Sequence, residues 1–159
     1  MNSVPISRHG ANNVSRTRRS KGGAQTPGLD ANILIRGCLG VRVNRLIATY
    51  ADQVDFFVAE ANVAEATFYI AELAKKKGLD QQLCSEILLS LMRVVQMVED
   101  SVLESVRDEA LARIRDPDDW PALALGMQLE CAIWTEDQDY FGTGIATWTT
   151  KTVEIYLKS

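Results

Sequence analysis

Short apolar runs that alternate with segments of helical period constrain this chain more than any other feature. Residues 54–58, Val-Asp-Phe-Phe-Val, are β-branched and aromatic and read as a buried strand. Over residues 59–77, Val63, Thr67, Ile70, Leu73 and Ala74 then recur at helical spacing. Lys75, Lys76 and Lys77 suit the C-terminal dipole of that helix, and Gly78 stops it. A second helix is predicted over residues 79–91 and a short strand at Val94, Val95, Met97 and Val98. Ser101 and Glu104 have the spacing of a capping box for the next helix, whose buried side holds Leu103, Val106, Ala110, Leu111 and Ile114. An Ala/Leu-rich helix follows over residues 119–129, then strands at 131–134 and 145–148 and a last helix at 149–157. Ahead of all this, Ile33, Leu34, Leu39, Val43, Leu46 and Ile47 predict a helix broken at Gly37 or Gly40. Apolar strands separated by helices imply an α/β fold: a three-layer α/β/α sandwich around a central, mostly parallel sheet of four to five strands.

At 159 residues, the chain has room for one well-packed domain. No apolar run reaches the roughly 20 residues of a membrane span, and the N-terminal basic residues lack the apolar core of a secretory signal. Cys38, Cys84 and Cys131 are widely spaced in apolar surroundings, as reduced core cysteines of a cytoplasmic protein would be. One histidine, His9, and the lack of a Cys-x-x-Cys pair exclude a zinc site. The net charge of -4 is unevenly spread: residues 1–29 carry +5 from Arg8, Arg16, Arg18, Arg19 and Lys21, and the remainder carries -9. Residues 1–28, without periodicity, read as a disordered basic tail ahead of a domain at 29–159; a nucleic-acid-binding arm is the sharper alternative. The acidic body argues against long-range attraction of nucleic acid.

The acids that periodicity does not assign to a solvated face fall where strands end and helices begin. Asp30 opens the first helix, Glu65 sits among Val63, Ala64 and Ala66, Asp116, Asp118 and Asp119 precede a helix, and Asp137 and Asp139 follow a strand. Each alone is accounted for by a cap or a turn. In an open parallel sheet, however, such positions gather along one edge. Carboxylates crowded there repel one another unless a divalent cation is present, and an oxygen-only set suits Mg²⁺ or Mn²⁺.

In order along the chain, Asp30-Ala-Asn32, Glu65, Asp116-Pro-Asp-Asp119 and Trp134-Thr-Glu-Asp137-Gln-Asp139-Tyr-Phe141 resemble the PIN domain, a family of small metal-dependent ribonucleases that includes many toxins of toxin–antitoxin pairs. The resemblance implies catalytic and metal-binding roles for Asp30, Glu65, Asp119 and Asp137. Asn32, Thr135 and Asp118 would support them, and Asp139 would share the metal or replace Asp137. Glu60 competes with Glu65 for the second acid, and Asp116 ranks behind Asp119 for the third. The implied reaction is Mg²⁺- or Mn²⁺-dependent hydrolysis of RNA to 5′-phosphate and 3′-hydroxyl ends, with no nucleophilic side chain. An antitoxin protein and a second copy of the chain are the implied partners. Arg36, Arg42 and Arg45 are candidates to guide substrate, with a solvated helix face as the competing reading.

One departure stands out. The family places an apolar strand directly before the first acid, whereas residues 21–29 read Lys-Gly-Gly-Ala-Gln-Thr-Pro-Gly-Leu. Two adjacent glycines, a proline and a further glycine predict a short, degenerate strand, or a natural chain that differs upstream of Asp30, with low order before residue 28. A catalytically impaired module that binds RNA or a protein partner is therefore the alternative function. A third reading takes Asp137-Gln-Asp139 as the DxD of an aspartyl phosphatase, but no fitting Thr or Val follows the second Asp.

Overall fold

The computed structural model describes residues 25–159, so most of the basic N-terminal segment lies outside the described residues. Five strands, β1 (Gly28–Leu29), β2 (Phe56–Ala59), β3 (Val95–Val98), β4 (Ile133–Trp134) and β5 (Thr147–Trp148), form one sheet in the order β3-β2-β1-β4-β5. Every pairing is parallel, as the apolar strands and intervening helices imply. β1 is central, and the chain builds the sheet from it first towards β3 and then back towards β5. The order therefore reverses between β1 and β4, and a crevice forms beyond the carboxyl ends of those two strands.

The helices are α1 (Ala31–Leu39), α2 (Arg42–Tyr50), α3 (Glu60–Lys77), α4 (Gln81–Leu91), α5 (Asp100–Leu103), α6 (Arg107–Arg113), α7 (Trp120–Leu129) and α8 (Val153–Lys158). They bury both faces of the sheet. Leu29, Phe56, Val58 and Trp134 pack with residues of α1 to α4 and α8. Phe57, Ala59 and Ile133, pointing the other way by the two-residue period of a strand, pack with α5 to α7 and Tyr140. The three-layer sandwich follows directly from that alternation. Cys38, Cys84 and Cys131 are buried thiols outside any disulfide. Among the described residues no helix is long and apolar enough to cross a membrane.

Local chemistry sets the element ends. The first helical segment breaks at Gly40 and not at Gly37. Gly37 stays helical and buried, and a Cβ there would stand 2.8 Å from Leu91 Cδ1, so the glycine permits close contact of α1 with α4. Gly78 ends α3 at φ +67°, its N–H bonded to the carbonyls of Ala74 and Lys75. Asp80, not Leu79, opens α4 by accepting from the N–H groups of Gln82 and Leu83. The Ser101/Glu104 capping box does not form: α5 begins at Asp100, one residue before Ser101, and Glu104 is its C-cap. The carboxylate of Glu60 on α3 accepts from Asp100 N at 3.1 Å, so a tertiary contact replaces the local cap. The last helix starts at Val153, after a turn at 149–152.

The strand before Asp30 is as short as its sequence suggests, yet it is fully engaged. Gly28 N donates to Ala132 O at 2.8 Å, Asp30 N to Trp134 O at 3.1 Å, and Phe57 N to Pro27 O at 3.1 Å. Pro27 has no N–H to donate, but its carbonyl accepts, and Thr26 is already buried. Gly28 carries a packing role as well. A Cβ there would lie 3.0 Å from Leu125 Cδ2, and one at Gly126 would lie 3.1 Å from both Ile133 Cγ1 and Ile145 Cγ2. These two glycines let α7 lie close on the sheet, which fixes where its N-terminus, and so Asp119, ends up.

Gly28→Val tests this, because strand propensity and packing predict opposite signs. Overpacking against Leu125 should destabilise the fold by about 1–3 kcal/mol. In urea unfolding the midpoint falls while the slope is unchanged. A midpoint at or above that of the wild type contradicts the close-approach account.

Candidate functional site

Asp30 leaves the end of β1 almost fully buried, at 4% exposure. Its Oδ1 accepts from Ala31 N at 2.8 Å, capping α1. Its Oδ2 accepts from the Thr135 hydroxyl at 2.8 Å and from Asn32 Nδ2 at 3.0 Å. Thr135 stands at the end of β4, and its Oγ1 also accepts from Asn32 Nδ2 at 3.2 Å and from Asp137 N at 3.0 Å. Asn32 Oδ1 accepts from Glu136 N at 3.2 Å. One hydrogen-bonded knot thus ties the exits of β1 and β4 together across the switch point. Burial raises the Asp30 pKa above the ordinary 3.8, the Thr135 and Ala31 hydrogen bonds oppose that, and the charge of Asp137 adds to it.

The other carboxylates arrive on neighbouring elements. Asp116 accepts from Asp118 N at 3.0 Å and opens the short 3-10 turn Pro117–Asp119, which runs into α7. Asp137 accepts from Asp139 N at 2.9 Å in the turn beyond β4. Carboxylate oxygens of Asp116, Asp119 and Asp139 lie within 4.8 Å of one another. Asp119 Oδ2 is buried with no hydrogen-bond partner. Its pKa is raised to about 8, first by burial and then by the charges of Asp30, Asp137 and Asp116. Glu65, on α3, is raised by burial and by the charges of Asp30, Asp118 and Asp116.

The sequence-predicted residues are therefore brought to one edge with different degrees of engagement. Asp30, Asn32 and Thr135 form the hydrogen-bonded floor. Asp119, Asp137 and Asp139 lie beside it, with Asp118 exposed at the rim and Glu65 coupled from α3. Glu60 is occupied in capping α5. Asp116, ranked behind Asp119 from sequence, belongs to the tightest group of oxygens. Sequence reasoning assigned Tyr140 no role. Buried within range of Asp30, Asp119 and Asp137, it is held far above the ordinary phenol pKa by burial and those charges, and its hydroxyl donates to Asp119 O at 3.3 Å. Its signal lay in its position, three residues beyond Asp137. Arg36, Arg42 and Arg45 are solvent-exposed on α1 and α2; Arg36 and Arg42 line a surface pocket with Lys77 instead of the carboxylate edge.

The donor set contains only oxygen, with crowded acids and an orphaned buried carboxylate atom. Such a set fits a hard divalent cation, which would supply the positive charge that Asp119 lacks.

A parallel α/β/α sandwich with carboxylates gathered at its switch point is an architecture that can hold a hard cation. The chain matches the PIN domain family over residues 29–158, and it belongs to that family. PIN domains are generally nucleases and typically depend on divalent metal. Among solved structures it is similar to PAE2754 from Pyrobaculum aerophilum, at 14% identity and TM-score 0.61, covering 85% of this chain and 90% of that one. A second is VapBC2 from Rickettsia felis bound to a DNA fragment from their promoter, at 10% identity and TM-score 0.58, covering 79% and 98%. FitAcB from Neisseria gonorrhoeae is similar at 17% identity and TM-score 0.51, covering 78% and 97%. Comparison with curated protein sequences gives no match.

The raised carboxyl makes a prediction independent of catalysis. Asp119 holds its proton up to about pH 8 in the fold, whereas the unfolded chain releases it near the ordinary 3.8. Its stabilising contribution is therefore complete below the unfolded value and is lost as pH rises through the folded one. Metal-free protein should show a melting temperature that declines between about pH 4 and pH 8, and Asp119→Asn should flatten that decline. Mn²⁺ at about a hundredfold excess over its Kd should raise the wild-type melting temperature by about 5–10 °C, with a much smaller gain in Asp119→Asn. Equal Mn²⁺ gains in the two proteins contradict the assignment of Asp119 as a ligand.

Proposed function

We propose that the chain is a metal-dependent endoribonuclease that hydrolyses RNA phosphodiester bonds at the carboxylate edge beyond β1 and β4. The observation that carries this reading is Asp119. It is a half-buried acid at the start of α7 with an orphaned oxygen, and its pKa is raised first by burial and then by the charges of Asp30, Asp137 and Asp116 around it. Neighbours of like charge are tolerable there if the site's working state contains a cation.

Asp119, Asp137, Asp116 and Asp139 would hold Mg²⁺ or Mn²⁺, with Asp30 and Glu65 completing the negative environment. When bound, the ion lowers the pKa of a water and offsets charge on the phosphate. The chain's own residues keep the site in register. Thr135 and Asn32 fix the Asp30 carboxylate, so that it cannot swing away when charge changes nearby. The Tyr140 hydroxyl stays protonated and anchors the Asp119 main chain. Near neutral pH Asp119 must lose its proton to act as a ligand, so cation binding is accompanied by proton release.

Membership of a family that includes toxins supports an antitoxin partner and a cytoplasmic setting. Leu89, Phe68, Leu83 and Tyr69 are 67%, 60%, 53% and 48% exposed on α3 and α4, which supports pairing with a second copy of the chain.

Cleavage of a single-stranded RNA should require Mn²⁺ or Mg²⁺. Asp119→Asn and Asp30→Asn should each lower the rate by about a hundredfold or more, the scale of losing a group that acts in the transition state. Glu65→Gln should lower it, and Glu60→Gln should leave it within about twofold while costing about 1 kcal/mol of stability through the lost α5 cap. Cleavage that survives Asp119→Asn sinks the mechanism. No cleavage by the wild type in either metal favours a module that binds RNA or protein without cutting it.

A further inference from the structure

Every acid named at this edge repels a polyanion, so the basic side chain nearest to it matters. Three arginines lie on the α6 side of the site. Arg107 is committed to the Trp120 ring, 5.2 Å from its centroid, and to Glu104 at 3.4 Å. Arg113 donates to Thr143 O at 3.2 Å and pairs with Glu109. Arg115 differs: it stands one residue before Asp116, its side chain is 75% exposed, and it reaches Asp139 Oδ1 at 3.6 Å. Asp139 is itself one of the three acids whose oxygens converge within 4.8 Å.

We propose that Arg115 is a phosphate-binding residue of this site, exchanging Asp139 for a non-bridging oxygen of the RNA backbone next to the bond to be cut. The inference rests on the endoribonuclease reading above. The Arg115–Asp139 contact is long and solvent-exposed, so it is weak and readily given up. The guanidinium is permanently charged, and its planar fork matches a phosphate. Release of Asp139 returns a carboxylate to the cation group, so RNA and cation binding reinforce each other. In the free protein the same contact makes Arg115 a competitor of the cation for Asp139.

Steady-state cleavage of a short single-stranded RNA with Mn²⁺, repeated across KCl concentrations, tests the proposal on full-length wild type, Arg115→Gln and Arg115→Lys. Arg115→Gln should raise KM roughly tenfold with a much smaller change in kcat, as loss of one charge-assisted contact would. The slope of log(kcat/KM) against log[salt] should become shallower by about 0.7, the value for one phosphate contact on a single strand. Arg115→Lys keeps the charge and should keep the slope while recovering part of the KM. Calorimetric titration with Mn²⁺ alone should show Arg115→Gln binding at least as tightly as wild type, because the competitor is gone. If Arg115 only holds Asp139 in place, Mn²⁺ binding weakens instead and the salt slope is unchanged, which overturns the proposal. Absence of cleavage by the wild type would sink the endoribonuclease reading itself. Wild-type cleavage with an unaltered KM and salt slope in Arg115→Gln would sink the Arg115 inference alone.

Discussion

The hydrogen bond from the Thr135 hydroxyl to the Asp30 carboxylate holds together the part of the molecule where least backbone pairing is available. β1 and β4 contribute two residues each, so their ladder is short for a central pair. At their carboxyl ends the side chains continue what the backbone stops doing. Asp30, Thr135 and Asn32 bond to one another and to the N–H groups of Ala31, Glu136 and Asp137. Bonds to a charged group contribute about 1.5–3 kcal/mol each, more than neutral ladder bonds. A buried carboxylate is costly unless it is satisfied in this way, so the knot and the burial of Asp30 depend on each other.

That arrangement separates two kinds of acid. Asp30 accepts three hydrogen bonds and is held in a fixed position. Asp119, one layer out, has an oxygen without a partner and feels Asp30, Asp137 and Asp116 at once. Burial first, and then the charges of Asp30 and its neighbours, raise the pKa of Asp119, so a proton or a cation is favoured there. A cation at that point would answer both the orphaned oxygen and the repulsion, which ties the pH response of the fold to occupancy of the centre.

Much of this architecture was legible from residue pattern. Apolar runs and period-3.6 segments placed the later strands and the helices along the chain, because burial on both faces of a parallel sheet leaves continuous apolar runs such as Phe56-Phe57-Val58. Strand starts were read two residues early at residues 131–134 and 145–148, since apolar chain does not mark ladder pairing. The Ser101/Glu104 box failed for a different reason: a distant side chain, Glu60, supplied the cap, and local sequence carries no trace of a tertiary partner. Among the site residues, Asp119 was readable because an apolar helix begins directly after it. The place of Asp116 beside Asp139 was not, because it depends on how the 3-10 turn folds back towards the turn beyond β4.

The residues before Asp30 show how a local rule misleads when the global packing has another use for it. Glycine weakens an isolated strand, and on that ground Gly28 counted against a central position. In the fold, its missing Cβ admits Leu125, while Gly126 admits Ile133 and Ile145 from the other side of the same contact. A larger residue at either position would push α7 away from the sheet. Because Asp119 sits at the start of that helix, the displacement would carry it away from Asp30 and Asp137, whose charges define its chemistry. The feature that made the first strand look poorest is thus what sets the spacing between the fixed acid and the free one. Side-chain volume at two glycines thus bears on the electrostatics of the edge.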